Sequence, residues 1–317
     1  RLTLVTLSPN AARHPLCRTP KICGLYFSAE RTLTPMTPIL SVTQDQTALR
    51  RVSAPGQLAR QKRQTETAIR RGEFLPYLQC IVDAHSQRIV GAEVLSRWQH
   101  PRRGLLSPGA YIPLLYAAGT IHQLDCAMFC HACRLLQRWQ GTDLAGLHLS
   151  CNFNRALISR PDFPETLQAL SEQFRFDHSK LTLEITEDCA AWDQARAVDN
   201  MARCKQLGFS IALDDLGSGH AALPNLVDFP VDIVKLDKHV LDDAACPKGR
   251  TLLLGVIQLA RQLGLSVLCE GVETRQQREL VTAGGCDYIQ GFLYAAPLPL
   301  DQAEIYFRAY SAGLAFS

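Results

Sequence analysis

Short runs of β-branched and aliphatic residues alternate with helix-length amphipathic segments over the last three quarters of the chain. The runs are FLPYLQCIV (74–82), RIVGAEVLSRW (88–98), GLHLSCNFN (146–154), LTLEITE (181–187), FSIALDD (209–215), VDIVKLD (231–237), LSVLCEGVE (265–273) and YIQGFLYA (288–295). Between them, helical periodicity predicts helices over 110–118, 122–140, 163–174, 194–207, 249–263 and 275–283. Repeated strand–helix alternation predicts a parallel sheet, and a count near eight favours an α/β (β/α)8 TIM-like barrel. The first two runs are joined by DAHSQ (83–87). That is too short for a crossover helix, so this first strand pair is predicted to be antiparallel.

Upstream the pattern stops. Residues 1–56 carry prolines at 9, 15, 20, 35, 38 and 55 and no sustained period. They are predicted to be an irregular, poorly structured N-terminal arm, with the folded domain occupying 57–317. A helix is predicted from Gln57, closed by Gly72. The chain begins at Arg1 rather than Met, as a fragment or an unusual gene model would.

Side chains alternate across a strand, so each run can be split into two lanes. Leu147, Leu149, Cys151 and Phe153 oppose His148, Ser150 and Asn152. Leu181 and Leu183 oppose Thr182 and Glu184. Ile211 and Leu213 oppose Ser210, Ala212 and Asp214. Leu265, Val267 and Cys269 oppose Ser266, Leu268 and Glu270. Glu93 shares its side with Gly91, Leu95 and Arg97. One lane is apolar and is expected to face helices. The other is small or polar, apart from Leu95 and Leu268, and ends in a set of polar groups where barrel active sites form. That set is Glu93, Asn152, Glu184, Asp214, Asp215, Lys235, Glu270 and Gln290.

Five of these eight are carboxylates, which repel one another in a low-dielectric site. A divalent metal is the simplest neutraliser, and oxygen-rich ligands suit Mg2+ or Mn2+ rather than zinc. Two such ions sharing a carboxylate are a usual device for phosphodiester hydrolysis, and a neighbouring lysine suits phosphate charge or a nucleophilic water. A lone acid at a strand end more often caps the next helix, and Asp237 and Glu187 individually fit that reading. The same feature on six or more strands does not.

Composition adds limits. The chain is 47% hydrophobic and 20% charged, ordinary for a soluble globular enzyme. No apolar run is long enough to span a membrane, and the start does not read as a secretory signal. Residues 1–72 hold 12 Lys/Arg and 3 Asp/Glu, leaving 21 and 27 for the remainder, so a basic arm precedes a mildly acidic domain. Such an arm suits a membrane surface or nucleic acid, but without a nucleic-acid motif it reads better as a solvated linker, and no nucleic-acid polymer partner is expected. Of the twelve cysteines, several stand singly in apolar segments (Cys80, Cys151, Cys204, Cys269 and Cys286), which suits reduced thiols in a cytoplasmic protein. Cys126, Cys130 and Cys133 have the C-x3-C-x2-C spacing of an iron–sulfur loop. Their flanks lack Gly and Pro, and the spacing puts all three on one helix face, so they are expected to be a core stripe.

The ordered set EVLSRWQHP (93–101), LEITE (183–187), LDDLGSG (213–219), KLD (235–237), EGVE (270–273) and QGFLYAAPLP (290–299) resembles the EAL-domain family of cyclic di-GMP phosphodiesterases. The likeness covers roughly 64–310. The resemblance implies hydrolysis of cyclic di-GMP to linear pGpG with two Mg2+ or Mn2+ ions. It implies that Glu93, Asn152, Glu184 and Asp214 are metal ligands, that Asp215 serves a second metal, and that Glu270 is a further metal-site glutamate. Lys235 corresponds to a lysine that helps activate water, so Lys235, Glu93 and Asp215 form the expected catalytic group. Arg97, Gln290 and Gln79 correspond to substrate-side residues. Glu187, with Asp237 and Glu273, corresponds to residues that position the loop after the Asp pair. Homodimerisation through that loop and the following helix is also implied.

Some positions depart from the family pattern. The name-giving triplet is Glu-Val-Leu here, Cys80 replaces a frequent proline, and the loop carries Leu216, Ser218, His220, Ala221 and Ala222. These departures bear on rate and regulation, since every expected ligand is present. Two other functions stay open on sequence: a catalytically silent cyclic di-GMP receptor or interaction module of the same fold, and another metal-dependent barrel enzyme such as an enolase-like lyase.

Overall fold

The computed structural model describes residues 55–186, 193–217 and 225–313. Residues 1–54 of the predicted N-terminal arm, Glu187 and the loop positions 218–222 lie outside these residues, while the arm's last two, Pro55 and Gly56, belong to the first helix. A first helix, α1 (Pro55–Arg70), is closed by Gly72, whose φ of 67° is the left-handed turn that glycine takes without steric cost. It leads into β1 (Phe74–Asp83), β2 (Ile89–His100) and a short β3 (Gly104–Leu106). Helices α2 (Ile112–Ala118) and α3 (Ile121–Trp139) follow. Then come β4 (His148–Phe153), α4 (Arg155–Ile158), α5 (Phe163–Ser171), β5 (Leu181–Thr186), α6 (Gln194–Gln206), β6 (Ser210–Leu216) and α7 (Asn225–Asp228). The chain continues through β7 (Ile233–Leu236), α8 (Lys238–Asp243), α9 (Pro247–Gln262), β8 (Ser266–Cys269), α10 (Arg275–Gly284), β9 (Tyr288–Ile289), β10 (Leu298–Pro299) and α11 (Leu300–Ser311).

Strands β2, β4, β5, β6, β7, β8 and β9 pair in that order, all parallel. β1 closes the ring, pairing antiparallel with β2 on one side and β9 on the other. The result is the predicted eight-stranded barrel with its inverted first strand. β3 and β10 are additions at the rim, a hairpin extension of β2 and a two-residue partner of β1.

The two lanes are realised. Leu149, Cys151, Phe153, Leu181, Leu183, Ile211, Leu213, Val267 and Cys269 are buried. They join one continuous core with apolar residues of the helices, including Phe129, Leu136, Leu167, Leu253 and Ile257. Cys126, Cys130 and Cys133 are buried along α3, as the spacing predicts for a core stripe. Small inner-lane residues stand in register with two of the larger polar groups, Ser150 beside Glu93 and Ala212 beside Glu184, which leaves room for those side chains.

The last two runs are shorter as strands than their sequence pattern predicts. β8 ends at Cys269 because Gly271 turns left-handed, with φ 64°. β9 ends at Ile289, where the backbone folds back: Val272 N–H donates to Gln290 O, and Leu293 N–H to Val272 O. Gly291 sits inside that crossing; a Cβ there would stand 2.1 Å from Val272 O. Only glycine permits this approach, which fixes Gln290 at the barrel mouth.

Candidate active site

Each strand delivers one polar group to the mouth of the barrel. Backbone register aligns Gln79 with Glu93 across β1 and β2, and Asn152 with Glu184 across β4 and β5. Lys235 of β7 stands at the centre, 1% exposed. Its Nζ lies 2.7 Å from Glu270 Oε1, 2.9 Å from Glu184 Oε2, 3.2 Å from Asp214 Oδ1 and 3.6 Å from Glu93 Oε2. Four carboxylates therefore share one ammonium. Burial acts to strip its proton, but the four anions outweigh that and hold Lys235 charged.

Two amides complete one side. Asn152 Nδ2 donates to Glu93 Oε1 at 2.6 Å, and Gln290 Nε2 donates to Glu93 Oε2 at 2.7 Å. Gln290 Nε2 also reaches Gln79 Oε1 at 3.1 Å, and Gln79 Nε2 donates to Ala295 O at 3.2 Å. Burial would raise the Glu93 carboxyl; Lys235 and the two amides overcome it and hold Glu93 below its ordinary value.

On the other side the carboxylates are under-compensated. Burial raises Glu184 well above its ordinary value, with the Glu93 charge adding to it and Lys235 opposing. Burial also raises Asp214, against Lys235. Glu270 is pushed up to about 7, chiefly by burial. Asp215 is pushed up to about 6 by burial, then by Asp214 and Asp237. Asp214, Asp215 and Glu270 each place a carboxylate oxygen within 4.8 Å of the others.

Alternation alone would point adjacent Asp214 and Asp215 to opposite faces of β6. The backbone resolves this. Pairing with β7 slips between Leu213 and Leu216, so β6 carries one extra residue. Asp215 takes φ 61°, a left-handed conformation that Asp tolerates better than most residues, and its N–H donates to Asp214 Oδ1 at 3.0 Å. A bulge thus turns both carboxylates toward one space.

The remaining candidates sit apart from this cluster. Arg97 lies four residues beyond Glu93 on the same face of β2, about 13 Å along the strand. Its Nη1 donates to Ser96 O, and its guanidinium lies over the Tyr77 ring, 5.5 Å from the centroid. Asp237 is the N-cap of α8, accepting from His239 N at 2.7 Å and facing His239 Nδ1 at 2.5 Å. The capping reading of Asp237 therefore holds, and its charge also bears on Asp215. Glu273 pairs with Lys238 at 3.0 Å on the exposed rim.

Sequence reasoning passed over Asp125. This α3 residue is buried and accepts from Asn154 N at 2.9 Å and from Asn154 Nδ2 at 2.5 Å, pinning the turn that follows Asn152. Burial pushes its carboxyl up to about 7, against those two donors. The available signal was an acid between Leu124 and Cys126, inside an apolar helix face.

The donor set fits hard divalent cations. Four carboxylates share a single ammonium, a fifth from Asp215 lies beside two of them, and Asn152, having spent its amide nitrogen on Glu93, retains its oxygen as a further donor. The raised carboxylates mark negative charge that one lysine does not balance.

A closed barrel with one inverted strand and a carboxylate-rich mouth defines an α/β barrel protein with a site able to hold a cation. The comparisons narrow this. The family model for the EAL domain matches residues 62–297, and the chain belongs to that family. It is 33% identical over 228 residues to the cyclic di-GMP phosphodiesterase PA2567 of Pseudomonas aeruginosa, covering 72% of this chain and 39% of that protein. It is 32% identical over 248 residues to the cyclic di-GMP phosphodiesterase RocR of the same organism, covering 76% and 61%. The chain thus spans less than two thirds of the length of either relative. Among solved structures, it resembles the PaMucR phosphodiesterase in complex with c-di-GMP, with a TM-score of 0.71, 29% identity, and 78% and 99% of the two chains covered. An EAL domain protein from Listeria monocytogenes gives a TM-score of 0.69 at 25% identity, covering 78% and 96%.

Proposed function

We propose that this domain hydrolyses cyclic di-GMP to linear pGpG. The observation that carries the proposal is the convergence of Glu93, Glu184, Asp214 and Glu270 on Lys235, with Asp215 and Asn152 beside them, in a chain related to named cyclic di-GMP phosphodiesterases. Glu93, Asn152, Glu184, Asp214, Asp215 and Glu270 would hold two Mg2+ or Mn2+ ions. When bound, such ions supply charge neutralisation at the phosphodiester and a nucleophile at neutral pH.

The protein groups have separate tasks. Lys235 Nζ, charged and already inside the cluster, donates hydrogen bonds to the attacking water or to a phosphate oxygen as charge develops there. Gln290 and Asn152 hold Glu93 ionised and fixed in orientation. Gln79 and Arg97 are assigned to the substrate side, Arg97 as a cation further along β2 for a phosphate or a base edge. Glu187, Asp237 and Glu273 are assigned to positioning the loop after Asp215. That loop and the following helix are assigned to a homodimer contact. In the described residues no helix is long and apolar enough to cross a membrane. A cytoplasmic site of action is part of the proposal, since a cytoplasmic second messenger would be the substrate.

The test is incubation of the purified chain with cyclic di-GMP and Mg2+ or Mn2+, with chromatography for pGpG. Metal-dependent appearance of pGpG supports the proposal. Tight binding without turnover would overturn it in favour of a receptor.

A further inference from the structure

A second charged site lies outside the barrel mouth. A groove of about 360 Å3 runs between α1 and the turn joining β2 to β3, lined by Arg63, Thr67, Arg71, Trp98, His100 and Arg102. Arg63, Thr67 and Arg71 recur every four residues, so they form one stripe on α1. Arg102 faces the stripe from the turn.

Several surface arginines elsewhere are neutralised by a carboxylate. Arg138 pairs with Glu304, Arg160 with Asp162, Arg196 with Asp193, Arg203 with Glu165 and Arg308 with Asp143. Among the described residues, no carboxylate pairs with Arg63, Arg71 or Arg102. The one acid lining the groove, Glu73, accepts from Trp98 Nε1 at 3.0 Å. Three like charges are thus gathered around one hollow by two separate elements, with Glu73 the one acid lining it, so the groove keeps a positive excess that an entering anion would offset.

His100 supplies a neutral donor. Its Nδ1 accepts the backbone N–H groups of Arg102 at 3.1 Å and Arg103 at 3.2 Å. The ring proton of the neutral imidazole therefore sits on Nε2 as a donor. Its ring is braced edge-on against Trp98, with centroids 4.9 Å apart, and Trp98 is stacked on Phe74. Guanidinium forks around an open hollow, with an imidazole in its wall, are a phosphate-binding combination.

We propose that this groove binds a phosphate-bearing compound, at a site separate from the carboxylate cluster. The volume exceeds what one phosphate needs, which suits a phosphorylated small molecule, or a phospholipid headgroup presenting the same group.

The test uses the full chain stripped of metal with a chelator, so that the barrel mouth repels anions. Thermal unfolding is followed in millimolar sodium pyrophosphate and in sodium chloride of equal ionic strength. The expected result is a higher Tm in pyrophosphate, with apparent affinity falling at least about tenfold in the Arg63→Gln/Arg102→Gln variant. Both positions are exposed, so the variant should fold. Arg102→Glu provides a check of opposite sign: it should raise Tm in chloride by pairing with Arg63 or Arg71, and should abolish the pyrophosphate response. Co-sedimentation with phosphatidylglycerol vesicles separates the sources. Arginine-dependent pelleting without a pyrophosphate response assigns the phosphate to a lipid, and the reverse assigns it to a free compound. The proposal is overturned if chloride matches pyrophosphate and vesicles do not bind, or if the double variant keeps every response.

Discussion

On the Glu93 side of the barrel mouth, one carboxylate is wrapped by Asn152, Gln290 and Lys235 and held below its ordinary value. On the opposite side, Asp214, Asp215 and Glu270 crowd within 4.8 Å and are all raised, although Asp214 and Glu270 lie close to the same lysine. The difference lies in the donors. Amide hydrogens from β4 and from the turn after β9 reach Glu93, whereas around the bulge of β6 the one described donor to Asp214 besides Lys235 is the N–H of Asp215. One side is finished by the fold; the other keeps negative charge that the fold's own donors do not balance.

The comparison can be broken most severely at the residue both sides share. Lys235→Met leaves four buried carboxylates without their ammonium. It should cost about 3–5 kcal/mol in chelator at alkaline pH and abolish turnover. Urea unfolding measures the first effect and pGpG formation the second; undiminished stability would show that the lysine is not the counter-charge.

Next come two isosteric neutralisations with opposite signs. Glu93→Gln strands donors built around an anion and should cost about 1–3 kcal/mol without metal. Asp215→Asn keeps a residue that tolerates the left-handed backbone and removes a repulsion, so it should gain roughly 1 kcal/mol without metal. Both should reduce turnover by roughly a hundredfold or more, because each loses a proposed ligand. Equal signs in chelator would erase the distinction between the two sides.

The pH dependence is smaller but sharper in sign. Asp215 and Glu270 have folded values of about 6 and about 7, above the ordinary carboxylate range. The folded state then binds more protons than the unfolded chain between about pH 4 and 7, so metal-free stability should fall as pH rises through that window. The gain in Tm on adding Mn2+ should grow over the same interval. A flat metal-free profile, read by thermal unfolding across buffers, would contradict these shifts. The smallest effect is expected for Asp237→Asn, which caps α8 nearly as well and should move stability by about 0.5 kcal/mol or less.

Much of this was legible in the sequence for a physical reason. Strand alternation sorts residues by lane whatever the tertiary context, so Glu93, Asn152, Glu184, Asp214 and Glu270 were assigned to one interior from spacing, and Lys235 joined them as the polar end of its run. The inverted first strand followed from the length of DAHSQ. Asp215 was the exception, because its orientation depends on an extra residue that exists only relative to β7. The early ends of β8 and β9 likewise come from a backbone crossing at Gly291 that single-strand periodicity cannot express. Asp125 was missed because its partner Asn154 lies 29 residues away. The groove beside α1 was invisible for the same reason: Arg63 and Arg102 are neighbours only once the barrel has closed.

The inverted β1 also decides where the chain enters the domain. In an all-parallel barrel the first strand starts at the floor, a full strand length below the chemistry. Here Phe74 pairs with Trp98 near the outer end of β2, so α1 hands the chain over at the upper rim. A pull or twist on that helix therefore acts on the strand carrying Gln79 without first crossing the barrel.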